Sequence, residues 1–271
     1  MKIYSIFLIL LITLTKGQIF LSEGTEEEKD QLQVEYQTLS TPIPNTVLSY
    51  PKQLSSDKKY GVIAWGPGYG SKAGDYEAII KRLASHGFVV IGLGTSPGDG
   101  TKIIEALNWL EEKNKSSDHP LSGKLDMETV GCSGHSLGGK ECEVSISKDK
   151  RIKTFIINNA GDRDHVAMSK VDPDKPVAIV YGNNGMERPN SEADYGNKDV
   201  KSPACLIMMD GADHGHGSGP WDGMAATVAW FRWHLGGESF RKADFVGSSG
   251  KYINGPIIGK RGNWKGVCKN F

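Results

Sequence analysis

Gly134-His135-Ser136-Leu137-Gly138-Gly139 is the stretch of this 271-residue chain best suited to covalent chemistry. A short apolar run leads into it and a helical run leads out. Ser136 would therefore sit on a strained strand-to-helix turn with its hydroxyl exposed as a nucleophile. Such a turn needs small residues two positions either side, here Gly134 and Gly138. The amide that follows the serine, that of Leu137, would face the charge that grows on a carbonyl oxygen under attack. In a chain with 34 glycines the Gly-x-Ser-x-Gly pattern alone carries little weight. Its place between a strand and a helix is what carries the reading.

A serine nucleophile needs a second oxyanion donor and a base. Pro67-Gly68-Tyr69-Gly70 follows an early strand, and the Tyr69 amide is the candidate donor; the alternative is a plain turn with an aromatic lid. Among the histidines, His86 ends a helix, His119 lies in a polar loop and His135 is inside the serine turn. His165 comes too early, and His234 is on the final helix. That leaves His214 and His216, in Asp210-Gly-Ala-Asp-His-Gly-His-Gly217 directly after a strand; His214 is favoured because a short Gly/Ala stretch delivers it soon after that strand, with His216 as its neighbour. A metal site is the other reading of this cluster, since Asp210, Asp213, His214 and His216 could all ligate. Nothing elsewhere completes a ligand set, so no metal and no cofactor are expected.

These residues need a scaffold, and the chain alternates strands with helices. Strand runs fall at 60–65, 88–93, 129–132, 154–157, 177–181 and 204–209, with edge strands earlier, up to residue 51. Helical patterns fall at 75–86, 101–113, 140–146 and 224–235, and Gly87 stops the first of them. This alternation predicts an α/β fold with a mostly parallel central sheet covered by helices on both faces. No repeat or linker divides it, so residues 18–271 are expected to form one domain. Residues 240–271 read as a Gly-rich, irregular tail against the sheet edge.

Lys2 followed by an apolar stretch from Ile3 to Leu14 and small residues near Gly17 has the form of a secretory signal peptide over residues 1–17. The stretch is shorter than the ~20 residues of a membrane span, and an uncleaved anchor is the alternative reading. Four cysteines, Cys132, Cys142, Cys205 and Cys268, would then meet an oxidising compartment, where three pairings are open. Asn114-Lys115-Ser116 is the one glycosylation sequon, read as lying in a polar loop. With 32 basic and 32 acidic residues the chain is neutral, which argues against a nucleic-acid partner. A secreted monomer is the expectation.

Taken in order, "PGYG", "RLASHGFVVIGLGT", "GHSLGG", "DGADHGHG" and "TVAWFRWHLGGESFRKADFVG" resemble the α/β-hydrolase superfamily. More narrowly, they resemble its secreted cutinase and polyester-hydrolase (dienelactone-hydrolase-like) branch. The resemblance covers residues 58–247. It implies a serine hydrolase of carboxylic esters acting through an acyl-enzyme, with Ser136 as nucleophile and His214 as base. The amides of Leu137 and Tyr69 would be the oxyanion donors, and a small or polymeric ester the substrate. No long insertion suggests a lid, so an open cleft is expected.

The family also implies a carboxylate after the next-to-last core strand, and here the chain departs. Laying Pro189 on the family's proline puts Gly185 where the aspartate stands. Glu187, two residues on, is one substitute. Asp162, after the strand at 154–157, is another. A hydrolase fold kept for binding, with little or no catalysis, is the alternative this departure raises.

Overall fold

Residues 62–65 and 89–92 are buried to the last side chain, so neither stretch has a face for water. They become parallel neighbours in a nine-stranded sheet. In the computed structural model, which describes residues 27, 29–39, 44–215, 223–258 and 262–271, the strands are β1 (Val34–Thr38), β2 (Val47–Pro51), β3 (Tyr60–Gly66), β4 (Val89–Gly92), β5 (Leu125–His135), β6 (Ile152–Asn158), β7 (Val177–Gly182), β8 (Ala204–Met209) and β9 (Trp264–Lys269). Their order is β1-β2-β4-β3-β5-β6-β7-β8-β9. The run from β4 to β8 is parallel; β1, β2 and β9 pair antiparallel at the two edges. The expected fold class is the one observed. Residues 1–17, read as a signal peptide, and His216 lie outside the described residues.

Strand alternation sends side chains to two apolar layers. Ile63, Trp65, Ile156 and Val180 face one layer, with α1 (Glu77–Ser85) contributing Ile79, Ile80 and Leu83, and α5 (Gly223–His234) contributing Val228, Trp230 and Phe231. Val62, Ala64, Ile157 and Ile179 face the other, with Ile103, Leu107 and Leu110 of α2 (Thr101–Lys115) and Ile146 of α3 (Leu137–Lys148). Helices thus cover both faces, as right-handed crossovers between parallel strands require. The first helix ends at Ser85, and Gly87 at φ 93° turns the chain into β4.

Two local expectations are corrected and one element is added. The tail is not wholly irregular: after the short helices α6 (Lys242–Phe245) and α7 (Lys251–Asn254), β9 adds a strand to β8. Its inward residue Trp264 is buried, but Lys265 and Val267 face out, so no continuous apolar run betrays the strand. A further helix, α4 (Arg188–Gly196), stands between β7 and β8 in a polar segment where only Ser191 and Asp194 are buried. Asn114 lies on the last turn of α2, not in a loop, and its side chain exchanges hydrogen bonds with the Leu125 backbone (2.9 and 3.3 Å).

The cysteines are paired as Cys132–Cys142 and Cys205–Cys268. The first links β5 to α3 across the serine turn. The second joins residues directly opposite each other on β8 and β9. Among the described residues no helix is long and apolar enough to cross a membrane.

Candidate active site

Five parallel strands end on the same edge of the sheet, and the sequence-derived candidates sit just beyond those ends. Tyr69 follows β3, Ser136 follows β5, Asp162 follows β6, Gly185 and Glu187 follow β7, and His214 follows β8. This is the edge at which open α/β sheets gather their ligands.

Ser136 occupies φ 54°, ψ −121°, far from ordinary strand or helix backbone. A non-glycine residue held there is strained, and its surroundings must over-determine it. They do so through contacts too close for side chains. A Cβ at Gly138 would lie 2.0 Å from the Gly66 carbonyl oxygen, and one at Gly134 would lie 2.4 Å from the Gly138 oxygen. The Ser136 amide donates to the Asn158 carbonyl at 3.0 Å. Leu137 opens α3, so its N–H has no carbonyl within the helix to bond.

Ser136 and Leu137 line a cleft of about 380 Å³, together with Tyr69, Lys140, Arg163, Glu187 and Asn190. Tyr69 is 89% exposed, so its ring stands free beside the cleft. Its neighbour Gly68 is fixed: the Gly68 amide donates to the buried Tyr76 hydroxyl at 3.0 Å.

Of the two carboxylates left open by the sequence, Glu187 is the one that meets the histidine. Its Oε2 lies 2.5 Å from His214 Nδ1. Both atoms are buried and neither has a further hydrogen-bond partner, so each faces only the other. Burial pushes the Glu187 carboxyl above its ordinary pKa, against the opposing pull of His214. Asp162 is not brought to His214. It pairs with Lys140 at 3.1 Å and accepts from the Val166 and Ala167 amides at 3.2 Å each. Burial works against its charge, but Lys140 and these amides outweigh it and hold the carboxyl below its usual value.

The Gly185 position also has a defined geometry. A Cβ there would lie 3.6 Å from the His214 amide nitrogen and no nearer than 3.1 Å to the Gly182 oxygen. The glycine lies on the histidine loop's doorstep, yet the carboxylate arrives from Glu187, at the N-terminus of α4. Of the four candidates for a metal cluster, His216 lies outside the described residues and the other three turn elsewhere. Asp210 accepts from Asn183 at 3.0 Å, Asp213 from the Gly215 amide at 3.0 Å, and His214 meets Glu187. Among the described residues no group of three or more His, Cys, Asp or Glu side chains is arranged to hold a metal ion.

Two residues that sequence reasoning passed over fix the backbone of His214. Asn159 donates to the His214 carbonyl at 2.9 Å and accepts from the Gly182 amide at 2.8 Å. His135, read only as part of the serine turn, reaches the same carbonyl through Nε2 at 2.8 Å. The one sequence sign for Asn159 is the Asn-Asn pair closing β6, where Asn159 takes the left-handed φ of 45° that asparagine tolerates. His135 carried no sign beyond its place before the serine.

A family model described as PETase, PET hydrolase-like, matches residues 29–253. Among curated proteins, the chain is 30% identical over 175 residues to cutinase est2 of Thermobifida alba, covering 61% of this chain and 55% of that protein. It is 26% identical over 128 residues to a bis(hydroxyethyl) terephthalate hydrolase of Streptomyces coelicolor, covering 42% and 40%. It is 29% identical over 97 residues to cutinase 1 of Thermobifida cellulosilytica, covering 33% and 34%. The matched segments span about half the length of these relatives or less.

Proposed function

Because the chain belongs to the PET hydrolase-like family, with its α/β-hydrolase fold, we propose that it is a serine hydrolase that cleaves carboxylic esters. The observation that carries this reading is the 2.5 Å contact of Glu187 with His214, in a chain whose expected aspartate position holds glycine. A buried carboxylate on Nδ1 leaves the other ring nitrogen free to act as base. The alternative of a binding protein without a catalytic acid loses its main motive.

In the proposed reaction His214 takes the Ser136 proton as the serine oxygen attacks the ester carbonyl. The amides of Leu137 and Tyr69 stabilise the oxyanion. Collapse of the tetrahedral intermediate breaks the bond to the alcohol oxygen, and His214 returns the proton to the departing alcohol. Water, activated by the same histidine, then attacks the acyl-serine and releases the acid. Glu187 holds the imidazole in the tautomer and orientation this needs, and balances the imidazolium charge. No cofactor enters the scheme.

The free Tyr69 ring and the open cleft suit an uncharged ester of modest size or an accessible segment of a polyester. The relatives' names, cutinase and bis(hydroxyethyl) terephthalate hydrolase, lean the same way. Two disulfides and the signal-like residues 1–17 support work outside the cell. A fluorophosphonate probe tests the core of the reading. It should label the wild type and leave Ser136→Ala unlabelled, and equal labelling of both would sink it.

A further inference from the structure

Tyr76 and His135 are buried side chains that the proposed reaction does not use, and each is 7% exposed. Tyr76 ends the short helical turn Ala73–Tyr76 that precedes α1. Its hydroxyl accepts the Gly68 amide at 3.0 Å and lies 2.9 Å from His135 Nδ1. On the other side of the ring, His135 Nε2 lies 2.8 Å from the His214 carbonyl oxygen.

For a neutral imidazole only one assignment of protons satisfies every contact. The His214 carbonyl can only accept, so His135 Nε2 carries the hydrogen. Its Nδ1 is then the acceptor, the Tyr76 hydroxyl donates to it, and the hydroxyl's lone pair takes the Gly68 N–H. The chain of bonds runs in one direction, from the loop bearing Tyr69 to the loop bearing His214. The His135 ring also lies against the His214 ring, with centroids 4.6 Å apart and planes at 36°.

From this geometry we propose that Tyr76 and His135 form a positioning strut that sets the His214 loop against the Gly68–Tyr69 loop across the serine turn. The inference rests on the serine-hydrolase reading for its kinetic consequence, but not for its structural one. Gly68 adjoins the proposed oxyanion donor, His135 adjoins the nucleophile, and His214 is the proposed base. The strut therefore touches the immediate neighbour, or the backbone, of three of the reacting groups. Burial holds the His135 ring neutral, its pKa lowered to about 4, against the opposing effect of its bond to the His214 carbonyl. Among the described residues, the ring's hydrogen-bond partners are Tyr76, on the turn before α1, and His214, on the loop after β8. Neither Tyr76 nor His135 touches substrate in this scheme.

The test uses the full chain with three variants. Tyr76→Phe keeps the ring and removes the hydroxyl. His135→Leu removes both bonds, and His135→Gln can restore both, since its amide spaces a donor and an acceptor much as imidazole does. The strut predicts that Tyr76→Phe and His135→Leu lower kcat about tenfold with KM nearly unchanged, as misplacement without loss of binding does. His135→Gln should recover most of that loss, and the Tyr76→Phe/His135→Leu double variant should be no worse than His135→Leu alone. Full kcat in Tyr76→Phe, or additive losses in the double variant, would overturn it. A second readout does not depend on turnover. Nitrogen-15 spectra of the histidine rings, with the His135 signals assigned by their loss in His135→Gln, should show the His135 ring fixed in the neutral Nε2–H form from about pH 5.5 to 9 in the wild type, and released from it in Tyr76→Phe. A ring that holds the Nδ1–H form, or no response to Tyr76→Phe, refutes the strut even if the chain hydrolyses no ester. Loss of Ser136-dependent turnover with those spectra intact would instead refute the hydrolase reading alone.

Discussion

Glu187 Oε2 and His214 Nδ1 lie 2.5 Å apart, buried, with no other hydrogen-bond partner for either atom. The contact joins the first residue ahead of α4 to the loop after β8, so two segments that follow different strands meet at one point. It also explains how a glycine can stand at 185. The carboxylate comes from two residues further along, where the chain has turned into a helix and the longer glutamate side chain spans the added distance.

Replacing that carboxylate should therefore cripple the proposed reaction without abolishing it. Glu187→Gln is expected to lower kcat by on the order of 10³–10⁴, leaving the residual rate that oxyanion stabilisation supports. The Gly185 backbone lies outside the left-handed region, and a Cβ there approaches the His214 amide at 3.6 Å. Adding Gly185→Asp to Glu187→Gln should thus restore part of the lost kcat. Steady-state kinetics on a short ester measure both. An unaltered rate in Glu187→Gln would mean that another group orients His214.

Glu143 on α3 predicts a stability that falls with rising pH. It is fully buried, neither carboxylate oxygen has a hydrogen-bond partner, and burial first, then Asp194 and Asp162, push its pKa well above the ordinary carboxylate value of 4.5. The folded state then keeps a proton that the unfolded chain releases. Its favourable contribution is present below pH 4.5 and is lost as pH climbs toward the folded-state value. Glu143→Met should remove this slope. The gain in Tm should be larger at pH 8 than at pH 5. The same gain at both pH values would show that packing alone changed.

Buried histidines act from the acid side. Burial lowers the pKa of His234 to about 3 and that of His86 to about 4, with Arg232 and Arg82 adding to the shift of His86. Both are neutral when folded and protonate more readily when unfolded. The stability they contribute is present above pH 6.5 and drains away as pH falls toward those values. Denaturant titrations at pH 7 and pH 4.5 should show that loss, and His86→Gln should reduce it. An unchanged pH dependence in the variant would assign the acid limb elsewhere.

The sequence made some of this legible and hid the rest for physical reasons. Strands such as β3, β4 and β7 are buried on both faces, so apolar runs exposed them. The edge strand β9 has one wet face and reads as "WKGVCK", with no such run. Helix α4 hides because its buried residues are Ser191 and Asp194, which no hydrophobic period marks. Ser136 and His214 stood out because a strained turn and a Gly-rich loop have their own residue signatures. The carboxylate did not, because spacing along the chain cannot say which of Glu187 and Asp162 faces an imidazole nearby in space. Tyr76 was invisible for a similar reason: its partner, His135, is 59 residues away in sequence.

The disulfides should differ in what they protect. Cys205–Cys268 closes a separation of 63 residues and pins β9, the last strand, to β8; Cys132–Cys142 closes only 10 residues, between β5 and α3. Loop-closure entropy alone assigns about 4 kcal/mol to the longer link and about 3 kcal/mol to the shorter. The shorter link, however, brackets Ser136, whose backbone is held at φ 54° between the two cysteines. Removing Cys205 and Cys268 as an alanine pair should thus cost more in Tm, while removing Cys132 and Cys142 should cost more in kcat per degree of Tm lost. Melting curves and kinetics on the two double variants, well below their Tm, separate these effects. If activity in each variant simply follows the folded fraction, the turn holds its own geometry through Gly134, Gly138 and their contacts with Gly66, and the disulfide beside it only adds stability.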